Sequence, residues 1–131
     1  MRIALVGQPN CGKSALFNSV AGYKTIVSNF PGTTVDYVTS PVNLNGDSFT
    51  LVDLPGIYSV STSEREEILA RRYLIKERPD LVINILDASV LSRSLELTLE
   101  LLELKLHGHL ESHHKAISGN GKSVQGFGVK E

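Results

Sequence analysis

The stretch Gly7–Ser14, GQPNCGKS, follows directly on the apolar run IALV and leads into SALFNSV. An apolar run broken by a glycine reads as a buried strand feeding a loop. The segment after it reads as a helix, with Ala15, Leu16 and Phe17 toward a sheet and Gly22 as its stop. A G-x-x-x-x-G-K-S loop between a strand and a helix is suited to holding phosphate. Gly7 and Gly12 let the backbone curl so that successive N–H groups point inward. The helix that begins near Lys13 aims its free N–H groups at the same anion. Lys13 can reach the β- and γ-phosphates of a nucleotide, and Ser14 can place its hydroxyl on Mg²⁺. Cys11 has no partner base nearby in sequence and reads as a small loop filler.

The other elements fall in around this loop. Residues 23–35 are polar and turn-rich, with Pro31-Gly32 in the middle. Tyr37 to Leu44 is a weak strand that Pro41 assigns to an edge. Asn45-Gly46 is a strong hairpin turn, and Ser48 to Leu54 is the returning strand. Ser63 and Glu66 fit a capping box for a helix to about Lys76, with acids early and bases late. Leu81 to Leu86, LVINIL, has the continuous apolar character of a central parallel strand. A leucine-rich helix follows, whose buried face is read as Leu91, Leu95, Thr98, Leu99, Leu102 and Leu106. The order β-α-β-β-α-β-α predicts an α/β fold, a P-loop NTPase sheet, mostly parallel, with helices on both faces.

Two further segments bear on chemistry. Asp53-Leu54-Pro55-Gly56 ends a strand, where a carboxylate can hold Mg²⁺ through water and Gly56 can offer its N–H to the γ-phosphate. Thr33 and Thr34 follow the Pro31-Gly32 turn, and a hydroxyl there can complete the Mg²⁺ shell when the γ-phosphate is present. GQPNCGKS, then TT, then DLPG in that order suggests a switch GTPase. The set reads phosphate and does not distinguish guanine from adenine.

Composition narrows the partners. The 131 residues suit one domain, and a net charge of −1 supports neither a nucleic acid nor an anionic membrane surface as partner. One cysteine allows no internal disulfide. No stretch reaches the roughly eighteen apolar residues that span a bilayer. Alone, such a chain is expected to be cytoplasmic.

The stretches GQPNCGKSALFNSVAG, SNFPGTTVD, LVDLPGIYSV, SEREEILARRYLIKERPDLVINILDAS and LELTLELLEL resemble the N-terminal G domain of the ferrous iron transport protein B family. The resemblance covers about residues 1–106. It implies GTP and Mg²⁺ as ligands and slow hydrolysis of GTP. It also implies a linked membrane domain that carries Fe²⁺ across the cell membrane, with the G domain on its cytoplasmic face. The nucleotide contacts it implies are Gly7, Gln8, Pro9, Asn10, Cys11, Gly12, Lys13, Ser14 and Ala15, then Gly32, Thr33 and Thr34, then Asp53, Leu54, Pro55 and Gly56. Mg²⁺ falls to Ser14, Thr34 and Asp53, K⁺ to Asn10, and the catalytic contribution to Lys13, Thr34 and Gly56. Ile57 stands where Ras-like proteins carry a water-orienting glutamine, so water placement is expected from the backbone around Gly32 to Thr34.

After Leu104 the resemblance ends. Residues 1–106 are therefore read as a G domain lacking its C-terminal part, and residues 107–131 as an irregular tail. That reading leaves LVINIL with an open edge. The guanine-reading N-x-x-D element is not found in 105–131, and Asn84 to Asp87, which fits the pattern formally, is assigned to a strand. His107, His109, His113 and His114 are not read as a metal site, nor Gly121-Lys122-Ser123 as a second phosphate loop. Two other functions stay open: a degenerate phosphate-binding fragment without base selectivity or turnover, and a soluble GTPase of the ribosome-assembly type.

Overall fold

Ile3, Ala4, Leu5 and Val6 alternate between two apolar clusters, and β1 (Arg2–Gly7) is buried on both faces because layers cover both. The computed structural model describes residues 1–22, 24–106 and 113–118. Six strands form one sheet in the order β2-β3-β4-β1-β5-β6. They are β1, β2 (Ile26–Asn29), β3 (Asp36–Leu44), β4 (Asp47–Asp53), β5 (Leu81–Leu86) and β6 (His113–Ser118). β4, β1, β5 and β6 run parallel, and β2 and β3 complete an antiparallel side. α1 (Lys13–Val20) packs Phe17, Leu16 and Val20 on one face with Leu5, Leu51 and Ile85. On the other face α2 (Arg65–Lys76) and α3 (Leu91–Leu106) bury Leu69, Leu74, Leu97 and Leu101 with Val6, Val52 and Val82. This is the expected α/β sheet with helices on both faces.

The hairpin turn forms as its residues require. Asn45 and Gly46 have φ of 52° and 89°, and Leu44 pairs with Asp47 across them. Pro41 pairs with Thr50 of β4, whereas β2 reaches only as far as Thr39, so the missing N–H of Pro41 lies on an open edge.

Several expectations change. β2 lies inside the segment read as turns; its Ile26 and Val27 are exposed, so no in-out alternation marked it. Ala15 is exposed rather than packed on the sheet. α2 starts at Arg65 behind Glu64 with no side-chain cap, so the Ser63–Glu66 capping box does not form. The buried stripe of α3 is Ser94, Leu97 and Leu101, while Leu91, Leu95 and Leu99 are exposed. Leucines surround α3, and periodicity alone could not phase it. Thr98 turns inward as expected, and Ser94, which was not on the expected face, joins it because partners wait there.

The largest correction concerns the edge of LVINIL. Residues 113–118 form β6, parallel to β5 from Leu81 opposite His113 to Leu86 opposite Ser118. The edge of β5 is covered, and this part of the expected irregular tail belongs to the sheet. Residues 107–112 and 119–131, with His107, His109 and the Gly121-Lys122-Ser123 fragment, lie outside the described residues. Among the described residues no helix is long and apolar enough to cross a membrane.

Candidate functional site

The loop after β1 turns through two left-handed residues, Asn10 at φ 63° and Gly12 at φ 93°. Gly12 is the N-cap of α1 and provides no side-chain cap, so the first N–H groups of the helix face outward. The first helical bond to form is Leu16 N–H to Gly12 O at 3.0 Å. An uncapped helix N-terminus beside a curled loop is an anion cradle. It opens into a cleft of about 410 Å³ lined by Pro9, Asn10, Gly12, Lys13, Ser14, Ala15 and Gly56.

Two glycines are required by close approach. A Cβ on Gly7 would lie 2.7 Å from Cys11 Sγ and 2.9 Å from the Ile85 carbonyl oxygen. A Cβ on Gly56 would lie 2.9 Å from both N and Cα of Pro9. The DLPG segment is thus pressed onto the phosphate loop. Ile57 N–H donates to Gly7 O at 2.9 Å and fastens it there. The Ile57 side chain is 1% exposed and is a core residue, not a site residue.

Lys13 forms an ion pair with Asp53. Their side chains are 8% and 15% exposed, so the pair is largely withdrawn from water. Register explains the meeting: Leu5 pairs with Asp53, which puts the end of β4 beside the end of β1. Parallel α/β sheets place ligand sites at this carboxyl end of the strands. Cys11 is buried, and burial pushes its thiol pKa up, with the N–H of Lys13 and its charge opposing less strongly. That makes it a filler of the loop and not an activated nucleophile.

Other expected contacts lie elsewhere. Gln8 is 4% exposed and turns inward, with Nε2 donating to Arg93 O at 2.8 Å and Oε1 accepting from Ser94 Oγ at 3.4 Å. It ties the loop to α3 rather than facing the cleft. Leu54 is buried in the core. Gly32, Thr33 and Thr34 are not among the cleft-lining residues. Thr33 Oγ1 donates to Phe30 O at 2.9 Å within its own turn, whereas Thr34 is exposed. Gly32 has φ of 82° and lies beside Arg72 of α2.

The formal N-x-x-D stretch is not a base-reading element. Asn84 is fully buried on β5, with Nδ2 donating to Thr98 Oγ1 at 2.6 Å. Asp87 accepts from the hydroxyl and N–H of Ser89, which hold its carboxyl below the usual range. Among the described residues no group of three or more His, Cys, Asp and Glu is placed to hold a metal. Hydroxyl and carboxylate oxygens are the hard donors that suit Mg²⁺, and Ser14 and Asp53, which carry them, both lie at the cleft end of the sheet.

Sequence reasoning placed Thr98 on the buried face of α3 but missed Ser94. Ser94 stands one turn before Thr98 in a leucine-rich helix, and that spacing was the signal for an inward polar stripe. Glu100 gave no signal at all.

A mixed α/β sheet with a phosphate loop after its inner strand, and Asp-x-x-Gly at the end of the next, defines a P-loop G domain. Comparison with known proteins agrees. The profile of the family described as "Ferrous iron transport protein B" matches residues 1–111. The Fe(2+) transporter FeoB of Methanocaldococcus jannaschii is 49% identical over 102 residues, which is 78% of this chain and 15% of that protein. The G domain of the T. maritima FeoB iron transporter superposes with a TM-score of 0.75 at 34% identity, covering 95% of this chain and 92% of that one. The cytosolic domain of the same transporter in GDP form II gives 0.76 at 33% identity, covering 94% of this chain and 58% of that one. The chain belongs to the ferrous iron transport protein B family and corresponds to its N-terminal G domain.

Proposed function

We propose that this chain binds guanine nucleotide and slowly hydrolyses GTP, as the G-domain part of a ferrous iron transport system. The observation that carries the reading is the cleft itself, which a curled glycine loop, an uncapped helix N-terminus and Lys13 line, with Asp53 paired to Lys13 behind it. Phosphate would compete with the Asp53 carboxylate for the Lys13 ammonium. The released carboxylate is then free to accept from the water shell of a cation. Mg²⁺ held by Ser14, by Thr34 and through water by Asp53 would neutralise charge on the phosphates. Lys13 and the loop N–H groups would stabilise the transferring phosphoryl group, and the Gly56 N–H would face the γ-phosphate. Asn10, exposed at the lip of the cleft, would hold K⁺. The places of Thr34 and K⁺ rest on the family resemblance.

The relative from M. jannaschii bears the name Fe(2+) transporter, and this chain spans 15% of its length. Transport of Fe²⁺ is therefore proposed for a whole protein of this family, with a linked membrane domain as the partner.

A second reading has an observation in its favour. Asn84 and Asp87 are engaged elsewhere, so no N-x-x-D element among the described residues can read the base. On that reading the loop is a phosphate cradle without base selectivity. Titrating the full chain with a fluorescent GDP analogue in Mg²⁺ and K⁺, with GDP and ADP as competitors, separates the two. Displacement by GDP far better than by ADP supports the first; equal displacement supports the second; no saturable binding sinks both.

A further inference from the structure

Residues 54–64, between β4 and α2, form no regular secondary structure. A loop of that kind keeps one shape only if its backbone groups find fixed partners. Its first half is fastened by Ile57 N–H to Gly7 O. Its second half is held by one side chain of α3. Glu100 accepts from Val60 N–H at 2.6 Å and from Ser59 Oγ at 2.8 Å through Oε2, and from Ser61 Oγ at 3.0 Å through Oε1. The turn closes on itself as well, with Ser61 N–H donating to Ser59 Oγ at 3.0 Å.

Burial of Ile57 and Val60, 1% and 4% exposed, draws the loop inward but is not directional. The carboxylate supplies direction. Bonds to an ionised acceptor are shorter and stronger than neutral ones. Among the described residues, the hydrogen bonds of the Glu100 carboxylate go to this loop. Gly56, the residue just before the first fastening, lies against Pro9 and lines the phosphate cleft.

We propose that Glu100 is a positioning residue. It fixes Ser59, Val60 and Ser61 to α3 and, acting through Ile57 and its bond to Gly7 O, steadies Gly56 where it would meet the third phosphate of a nucleoside triphosphate. The inference rests on the nucleotide-binding reading above. It deepens that reading by assigning to a helix outside the cleft the discrimination between tri- and diphosphate. On that reading the α- and β-phosphates would lie over the loop and the start of α1, to which no contact of Glu100 reaches. Only a ligand that extends toward Gly56 senses the loop.

The test compares GDP and a non-hydrolysable GTP analogue on the full chain, as wild type, Glu100→Ala, Glu100→Gln and a Ser59→Ala/Ser61→Ala double variant. Amide hydrogen exchange of residues 57–61 is measured on each. Glu100→Ala is expected to leave GDP affinity within about twofold and to weaken the triphosphate analogue by about tenfold, the weight of one or two charge-assisted bonds. Exchange across 57–61 speeds up. Glu100→Gln restores both only in part, because an amide oxygen still accepts from Val60 N–H and the amide nitrogen can donate to a serine oxygen, but the charge that strengthens the bonds is gone. The double serine variant moves the same way from the other side of the contact. An unchanged ratio of the two affinities overturns the proposal. So does a parallel loss of both nucleotides that tracks the melting temperature, which is what a merely structural residue would produce. A wild-type chain that binds neither nucleotide overturns the nucleotide reading, and this inference with it. Wild-type binding with an unmoved ratio in Glu100→Ala overturns this inference alone.

Discussion

Thr98, half-buried on α3, shows how much one hydroxyl decides. It accepts from Asn84 Nδ2 at 2.6 Å and donates to Ser94 O at 3.3 Å, while Asn84 Oδ1 has no hydrogen-bond partner among the described residues. Thr98→Val keeps the shape and removes the acceptor, leaving the Asn84 amide without it in a dry site. The expected cost is about 1–3 kcal/mol, read as a lower urea midpoint. The double variant Asn84→Val/Thr98→Val should cost less than Thr98→Val alone, since no polar group is then stranded; a larger cost would show that packing governs the site. Cys11 makes a prediction about pH. Burial raises its pKa, so the folded chain keeps the thiol proton to higher pH than the unfolded chain. Its contribution is complete below the ordinary thiol value of about 8.5 and is lost as pH rises through the folded value. Urea midpoints taken from neutral to alkaline pH should therefore fall more steeply in the wild type than in Cys11→Ala. Parallel curves would contradict this.

At the scale of elements, two glycines with opposite surroundings separate folding from function. Gly46 has φ of 89° in the β3–β4 turn and nothing within 4 Å of a Cβ. Gly46→Ala should cost about 1 kcal/mol of stability from backbone strain alone, with nucleotide affinity unchanged. Gly56→Ala sets a methyl 2.9 Å from the backbone of Pro9, and neither backbone can yield cheaply. It should weaken nucleotide binding by an order of magnitude or more while costing roughly 1–3 kcal/mol of stability. Paired thermal melts and nucleotide titrations check both, and equal effects of the two changes on binding would count against the placement of Gly56. The turn was legible in Asn45-Gly46 because its φ values demand those residues. The contact of Gly56 with Pro9 was not, because it joins segments almost fifty positions apart.

For the molecule as a whole, the six-residue pairing of β6 with β5 settles whether the sheet has an open side. A chain ending at Leu106 should melt at lower temperature and aggregate on concentration, because β5 would show both its edge and its apolar side chains. Light scattering and thermal melting of the two lengths give the comparison. A shortened chain as stable and as monodisperse as the full one would mean that β6 contributes nothing. By itself the sequence determined the phosphate loop, the hairpin turn, the order of the main elements and the family, since each rests on neighbours in the chain or on a fixed spacing. Tertiary structure alone decided which face of α3 is buried, where Gln8 turns, that Glu67 is buried while Glu66 is not, and that a histidine-bearing segment completes the sheet. Those outcomes depend on which partners reach a side chain from distant parts of the chain: the Ser94 and Thr98 hydroxyls won the inward face because Gln8, Asn84 and Asp87 need them, and local periodicity carries no record of that need.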